Sequence, residues 1–184
     1  MASISRLRAF YLSYLSTPAS DRPIYRTICR QGVRKILELG IGAGQRAVRM
    51  IQLSALCHPL PEIEFSGTDL FESRSAVDGP GMSLKMAHRV LGGTGARVKL
   101  IPGDPYTGLA RAASTLGQLD LVVISARADP RSLARAWFYL PGLLHDRTQV
   151  FQERSLPGGG AALHLVAPDE IRALAAAALV RRAA

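Results

Sequence analysis

Asparagine is absent from this chain of 184 residues, lysine occurs three times and cysteine twice. Cys29 and Cys57 cannot form a disulfide framework or a CxxC zinc-ligand pair, so a reduced, cytoplasmic setting is the expectation. No uncharged apolar run approaches the ~18 residues of a membrane span, and no contact with a membrane is expected. None of Lys35, Lys85 and Lys99 follows a glycine, which excludes a P-loop. Near the start, Arg6 and Arg8 precede a short apolar patch. Ser13 and Ser16 interrupt it and no small-residue cleavage site follows, so a removed signal is not expected. With 48% hydrophobic and 20% charged residues the chain reads as globular, and its length suits one core.

What is abundant is arginine. The formal net charge is +9, unevenly placed: in residues 1–35, Arg6, Arg8, Arg22, Arg26, Arg30, Arg34 and Lys35 face Asp21 alone. Such a segment attracts phosphates or an acidic surface, while its bland counterpart is a solvated helix face. This divides the chain into an N-terminal helical segment, 1–32, and a main domain, 33–184.

Ile4, Leu7, Tyr11 and Leu15 recur at helical spacing and predict a helix over 3–15. A second begins at a cap supplied by Ser20 or Asp21, holds Pro23 in its first turn and ends near Gly32. From Lys35 onward strands alternate with helices. Strands are predicted at 36–39, 63–67, 97–101, 119–125, 149–152 and 162–166. Helices are predicted at 45–57, 83–91, 106–116, 131–144 and from Pro168 to the C-terminus. This rhythm implies βαβ units: an α/β, Rossmann-like, mainly parallel doubly wound sheet with helices on both faces. Ligands in such sheets sit beyond the carboxyl ends of the strands.

The first strand runs into Glu38-Leu39-Gly40-Ile41-Gly42-Ala43-Gly44. Glycines at 40, 42 and 44 let the backbone turn sharply and a ligand lie against it, and the following helix points its free N–H groups there. Gln45 stands where a dinucleotide fingerprint needs Gly or Ala, which weakens a nicotinamide reading. Asp69 ends the second strand, 25 positions after Gly44, where an acid can accept from both hydroxyls of a ribose. Asp104 closes the third strand in Pro102-Gly103-Asp104-Pro105. Each acid also has a bland reading as a helix cap or turn residue.

In these residues, over about 33–153, the sequence resembles the class I S-adenosylmethionine-dependent methyltransferases. Gly103-Asp104-Pro105-Tyr106 followed by Asp120-Leu121-Val122-Val123-Ile124 is most similar to the small O-methyltransferases of the catechol and caffeoyl-CoA type. The resemblance implies S-adenosylmethionine as cofactor, with Glu38, Gly40 and Gly42 at its methionine end and Gly44 in the same turn. Asp69 and Leu70 would take the ribose and Asp104 and Pro105 the adenine, with Ser125, at the end of the fourth strand, in the same pocket. The metal-dependent relatives carry carboxylates after the fourth and fifth strands. Here Ser125-Ala126-Arg127-Ala128 and Glu153-Arg154 stand there, and no metal is expected. The chain has no asparagine, and Ser125-Ala126-Arg127-Ala128 does not match the Asn/Asp-Pro-Pro-aromatic motif of amino-group methyltransferases, which argues against adenine or glutamine N-methylation. Neither cysteine is placed as a nucleophile.

Methyl transfer from a sulfonium needs little beyond alignment. If a base takes part, the candidates are Glu153, which could instead simply pair with Arg127 or Arg154, and His88. The loop Phe71–Met82 is a candidate lid. The leading expectation is O-methylation of a small molecule. The alternatives are a cofactor-binding protein without turnover and an RNA methyltransferase using the basic N-terminus. Only about 30 residues follow the fifth strand, so the sheet is expected to have a shortened end whose open edge a homodimer would cover.

Overall fold

The computed structural model describes residues 5–75, 81–156 and 160–183. Six strands, β1 (Lys35–Leu39), β2 (Glu64–Asp69), β3 (Arg97–Pro102), β4 (Leu119–Ile124), β5 (Leu144–Ser155) and β6 (Ala161–Leu165), form one sheet in the order β3-β2-β1-β4-β5-β6. All neighbours are parallel except β5 and β6, which pair antiparallel. The chain reverses direction in the sheet between β1 and β4, so a crevice opens at their carboxyl ends. β1 and β4 are central and covered on both faces, which is why Ile36-Leu37-Glu38-Leu39 and Leu121-Val122-Val123-Ile124 read as unbroken apolar runs, Glu38 excepted.

Helices α1 (Arg6–Tyr14), α2 (Arg22–Gln31), α3 (Gln45–Ser54) and α4 (Leu84–Gly92) belong to one face, and α5 (Pro105–Leu116), α6 (Pro130–Ala136) and α7 (Pro168–Ala183) to the other. Ile24, Tyr25 and Ile28 of α2 share a core with Ile36 of β1 and Met50 and Ile51 of α3. The N-terminal helices are thus built into the main hydrophobic cluster. Gly32, at φ +62°, ends α2 in the left-handed conformation. Asp21 holds the N-cap position of α2 but makes no capping bond; its carboxylate is used elsewhere, contrary to the expectation from sequence.

Two boundaries differ most; smaller differences include the end of α3 at Ser54, three residues early, and that of β5 at Ser155, three residues late. The helix expected over 131–144 stops at Ala136, and the chain continues through i+3 bonds from Phe138 to Arg135, Tyr139 to Ala136 and Leu140 to Trp137. Trp137, Leu140 and Leu143 are still buried, so the apolar spacing persists while the winding tightens ahead of Pro141-Gly142. β5 begins five residues earlier than expected. Its register against β4 shifts between Leu119 and Leu121, where the Thr148 hydroxyl accepts from the His145 amide (2.8 Å) and donates to the Leu119 carbonyl (2.6 Å). The sheet ends at β6, and α7 returns across the second face. No helix among the described residues is long and apolar enough to cross a membrane.

Candidate functional site

At the carboxyl end of β1 the backbone turns through Gly40 (φ +89°), Gly42 (φ +60°) and Gly44 (φ +74°). Gly40 has a second reason to lack a side chain: a Cβ there would stand 2.9 Å from the Cβ of Ser125. The turn is stitched to its neighbours by Gly40 N–H donating to the Thr68 carbonyl (2.9 Å) and Ser125 N–H to the Leu39 carbonyl (2.9 Å). α3 then begins with no side-chain cap.

A cavity of about 420 Å³ lies over this turn, within the range of small-molecule sites. Among its walls are Gly40, Gly42, Asp69, Leu70, Asp104, Pro105 and Ser125, seven of the nine residues expected at a cofactor. A second cavity, of about 470 Å³, shares Gly40, Gly42, Ser125, Ala126 and Arg127 with the first. It reaches past Gly44 and Arg46 to Asp21 and Glu153. Glu38 lines neither and lies beneath the turn, fully buried. His88 is exposed on α4 and lines neither cavity.

Asp69 is buried and already engaged. Its Oδ2 accepts from the Gly42 amide (2.6 Å), and its Oδ1 accepts from the Phe71 amide (3.3 Å) and pairs with the Arg74 guanidinium. Phe71 follows at φ +49°, a strained setting for an aromatic residue, held by burial of its ring. The lid loop is described only at its ends: residues 76–80 lie outside the described residues. Arg74 lies on Asp69, and the Met82 methyl lies so close over Gly44 that a Cβ there would clash.

Asp104 follows its bland reading as a cap. It accepts from the amides of Tyr106 (3.0 Å) and Thr107 (3.1 Å), from the Thr107 hydroxyl (2.7 Å) and from the Ser132 hydroxyl. Burial alone would raise its pKa, but the bonds from Ser132 and Thr107 outweigh it and hold the group below the ordinary carboxylate value. This network joins the start of α5 to that of α6, where Asp129 caps the Ser132 amide (2.6 Å).

Under the second cavity three carboxylates converge on one guanidinium. Arg46 Nε donates to Glu38 Oε1 (2.7 Å), and its Nη1 meets Glu153 (2.7 Å) and Asp21 (3.3 Å). Glu153 also accepts from the Ala126 amide (3.3 Å), and Asp21 from the Tyr25 hydroxyl (3.1 Å). Arg154 pairs with Glu170 instead. Burial, opposed by Arg46 and reinforced by Asp21 and Glu153, raises Glu38 to about 7, and its Oε2 is buried without a partner. Burial likewise raises Asp21. Among the described residues no three His, Cys, Asp or Glu side chains are arranged to hold a metal ion.

Arg46 and Arg74 were not singled out from sequence, and Asp21 was read there only as a helix cap and the sole acid of its segment. For Arg46 a signal existed: a cation in the first turn of a helix faces the positive end of the dipole, so its presence there calls for nearby carboxylates.

No protein-family model and no curated protein matches the sequence. The structure is similar to that of a calicheamicin methyltransferase, with 17% identity, a TM-score of 0.53 and coverage of 81% of this chain and 65% of that one. It is also similar to a TehB-like S-adenosylmethionine-dependent methyltransferase from Corynebacterium glutamicum (13% identity, TM-score 0.51, 91% of this chain and 76% of that one). The chain therefore has the fold of the class I S-adenosylmethionine-dependent methyltransferases, and it spans about two thirds of the length of the calicheamicin protein.

Proposed function

We propose that this chain is an S-adenosylmethionine-dependent methyltransferase acting on a small-molecule acceptor, at oxygen and without a metal. The observation that carries this reading is the pair of cavities meeting over the glycine turn, one for a nucleoside cofactor and one for an acceptor. The calicheamicin methyltransferase, named for a small-molecule acceptor, supports the substrate class. When bound, the cofactor supplies a methyl group on a sulfonium, a good leaving group. The chain's part is to bind and align. Gly40 and Gly42 leave room at the turn, and the Gly42 amide holds the Asp69 carboxylate at the cavity wall, where it can accept from ribose hydroxyls once Arg74 withdraws. Leu70, Pro105 and the residues around Asp104 bound the adenine end.

The second cavity brings the acceptor to the shared wall at Ser125–Arg127. Alignment there supplies much of the rate. Glu153, at that cavity, takes the acceptor proton. Arg46 pairs with this carboxylate and with that of Asp21, and so holds Glu153 at the cavity wall.

Calorimetric titration with S-adenosylmethionine, followed by transfer of labelled methyl to a panel of phenols and other alcohols, tests this reading. Binding and transfer that are both lost in Asp69→Ala are expected. Absence of binding at millimolar cofactor overturns it. A second reading, a cofactor-binding protein without turnover, is favoured by the ion pair that ties the candidate base Glu153 to Arg46 (2.7 Å), and in that case binding is retained while no acceptor is methylated.

A further inference from the structure

The strongest feature outside the cleft is the outer surface of α1 and α2. α1 buries Ala9, Leu12 and Ser13, which leaves Leu7 (79% exposed), Phe10 (56%), Tyr11 (51%) and Tyr14 (45%) facing outward. Isolated apolar residues on a surface are ordinary, but a contiguous group this size marks an interface. The group is set among cations. A groove of about 220 Å³ between the two helices is lined by Arg6, Phe10, Tyr14, Arg26 and Arg30, among others, and by no carboxylate. The rings of Phe10 and Tyr14 are 5.0 Å apart, and the Arg26 guanidinium lies 5.9 Å from the Tyr14 ring centre. Neither helix contains an acidic residue; Asp21, the one carboxylate of residues 5–35, is buried against Arg46.

This arrangement selects its occupant by charge. A second copy of the chain, docked through the same face about a two-fold axis, would set Arg6, Arg8, Arg26 and Arg30 against their own counterparts with no carboxylate to pair them. A flat bilayer would leave the groove between the helices unfilled. Paired aromatic rings flanked by guanidinium groups are what single-stranded nucleic acid needs: π-faces for successive bases and cations for the phosphates between them. We propose that the α1–α2 face binds single-stranded nucleic acid, with Phe10 and Tyr14 as stacking surfaces and Arg6, Arg26 and Arg30 on the backbone. This site is separate from the cofactor cleft and does not depend on the methyltransferase reading.

The test is fluorescence anisotropy of the full chain with fluorescein-labelled uridine and thymidine 20-mers, from 50 to 300 mM salt, without cofactor. With three or four phosphates neutralised, log K should fall against log salt with a slope of about −2 to −3. Arg26→Gln with Arg30→Gln should make that slope shallower by about 1.4. Phe10→Leu with Tyr14→Leu should weaken binding about tenfold or more at unchanged slope. All four side chains lie at the surface, and circular dichroism and a thermal melt confirm that the variants fold. Preference for the uridine strand assigns the ligand to RNA, and equal binding assigns it to single strands generally; both support the proposal. It is overturned if neither 20-mer binds at 100 μM protein in 50 mM salt, or if binding is indifferent to both pairs of substitutions. It is equally overturned if phosphatidylserine vesicles or self-association account for the face while the 20-mers do not bind.

Discussion

Arg46 carries one charge and answers three carboxylates. Replacing it by Met would leave Glu38, Asp21 and Glu153 facing one another out of water, and breaking a buried pair in this way costs about 3–5 kcal/mol. Urea unfolding at pH 7 should show a loss of that order, smaller at pH 5, where protonation relieves the cluster. Glu38 gives a pH signature of its own. Its folded value, about 7, lies above the ordinary 4.5, so the folded protein retains a proton that the unfolded chain has lost. Stability from this group is complete below about 4.5 and drains away as the pH rises toward 7. In Glu38→Gln the fall in unfolding free energy between pH 5 and 7 should be shallower by up to one proton's worth of slope. An unchanged slope would contradict the assignment. Arg74 sits on the carboxylate that a ribose requires, so Arg74→Ala should tighten S-adenosylhomocysteine binding by about tenfold, equivalent to about 1.4 kcal/mol, in a calorimetric titration. Glu38, Asp69 and Asp104 stood out in the sequence because each lies at or just beyond the carboxyl end of a strand, with a glycine one or two positions away. Arg46 with Asp21, and Arg74 with Asp69, were not, because an ion pair depends on where two separate segments meet, which spacing along one of them does not encode.

Among the elements, α1 and α2 look alike in sequence, both Arg-rich with apolar residues at helical spacing, yet they are held differently. Ile24, Tyr25 and Ile28 of α2 are fully buried, whereas α1 buries Ala9, Leu12 and Ser13 and exposes its larger side chains. Ile28→Ala should therefore cost about 2–5 kcal/mol, and Leu7→Ala should stay within about 0.5 kcal/mol, by chemical denaturation. Periodicity located every strand and helix of the sheet and its two covers. Its two largest misses have reasons local to each. From Trp137 to Leu143 burial continues while the winding changes, so apolar spacing overstated the length of α6. At the start of β5, polar and charged residues from His145 to Thr148 pair through a bulge that the Thr148 hydroxyl completes, a device without an apolar pattern.

For the whole molecule, the doubly wound sheet with its antiparallel last strand places the candidate site at the β1/β4 reversal. The crevice between β1 and β4 presents a glycine turn, an acid on β2 and a second cavity to one side. The N-terminal helices close the wall of that second cavity through Asp21 while turning their basic, aromatic surface outward. The expected charge asymmetry thus resolves into two parts, a buried acid committed to Arg46 and an exposed set of arginines. The central claim is that the first cavity holds S-adenosylmethionine with its methyl group facing the second. A crystal structure with S-adenosylhomocysteine tests it most directly. The ribose hydroxyls should lie on Asp69, with Arg74 displaced, and the sulfur should point across Ser125–Arg127 toward Glu153. Crystals grown at millimolar ligand with the Arg74–Asp69 pair intact and no ligand over Gly40 and Gly42 would contradict it.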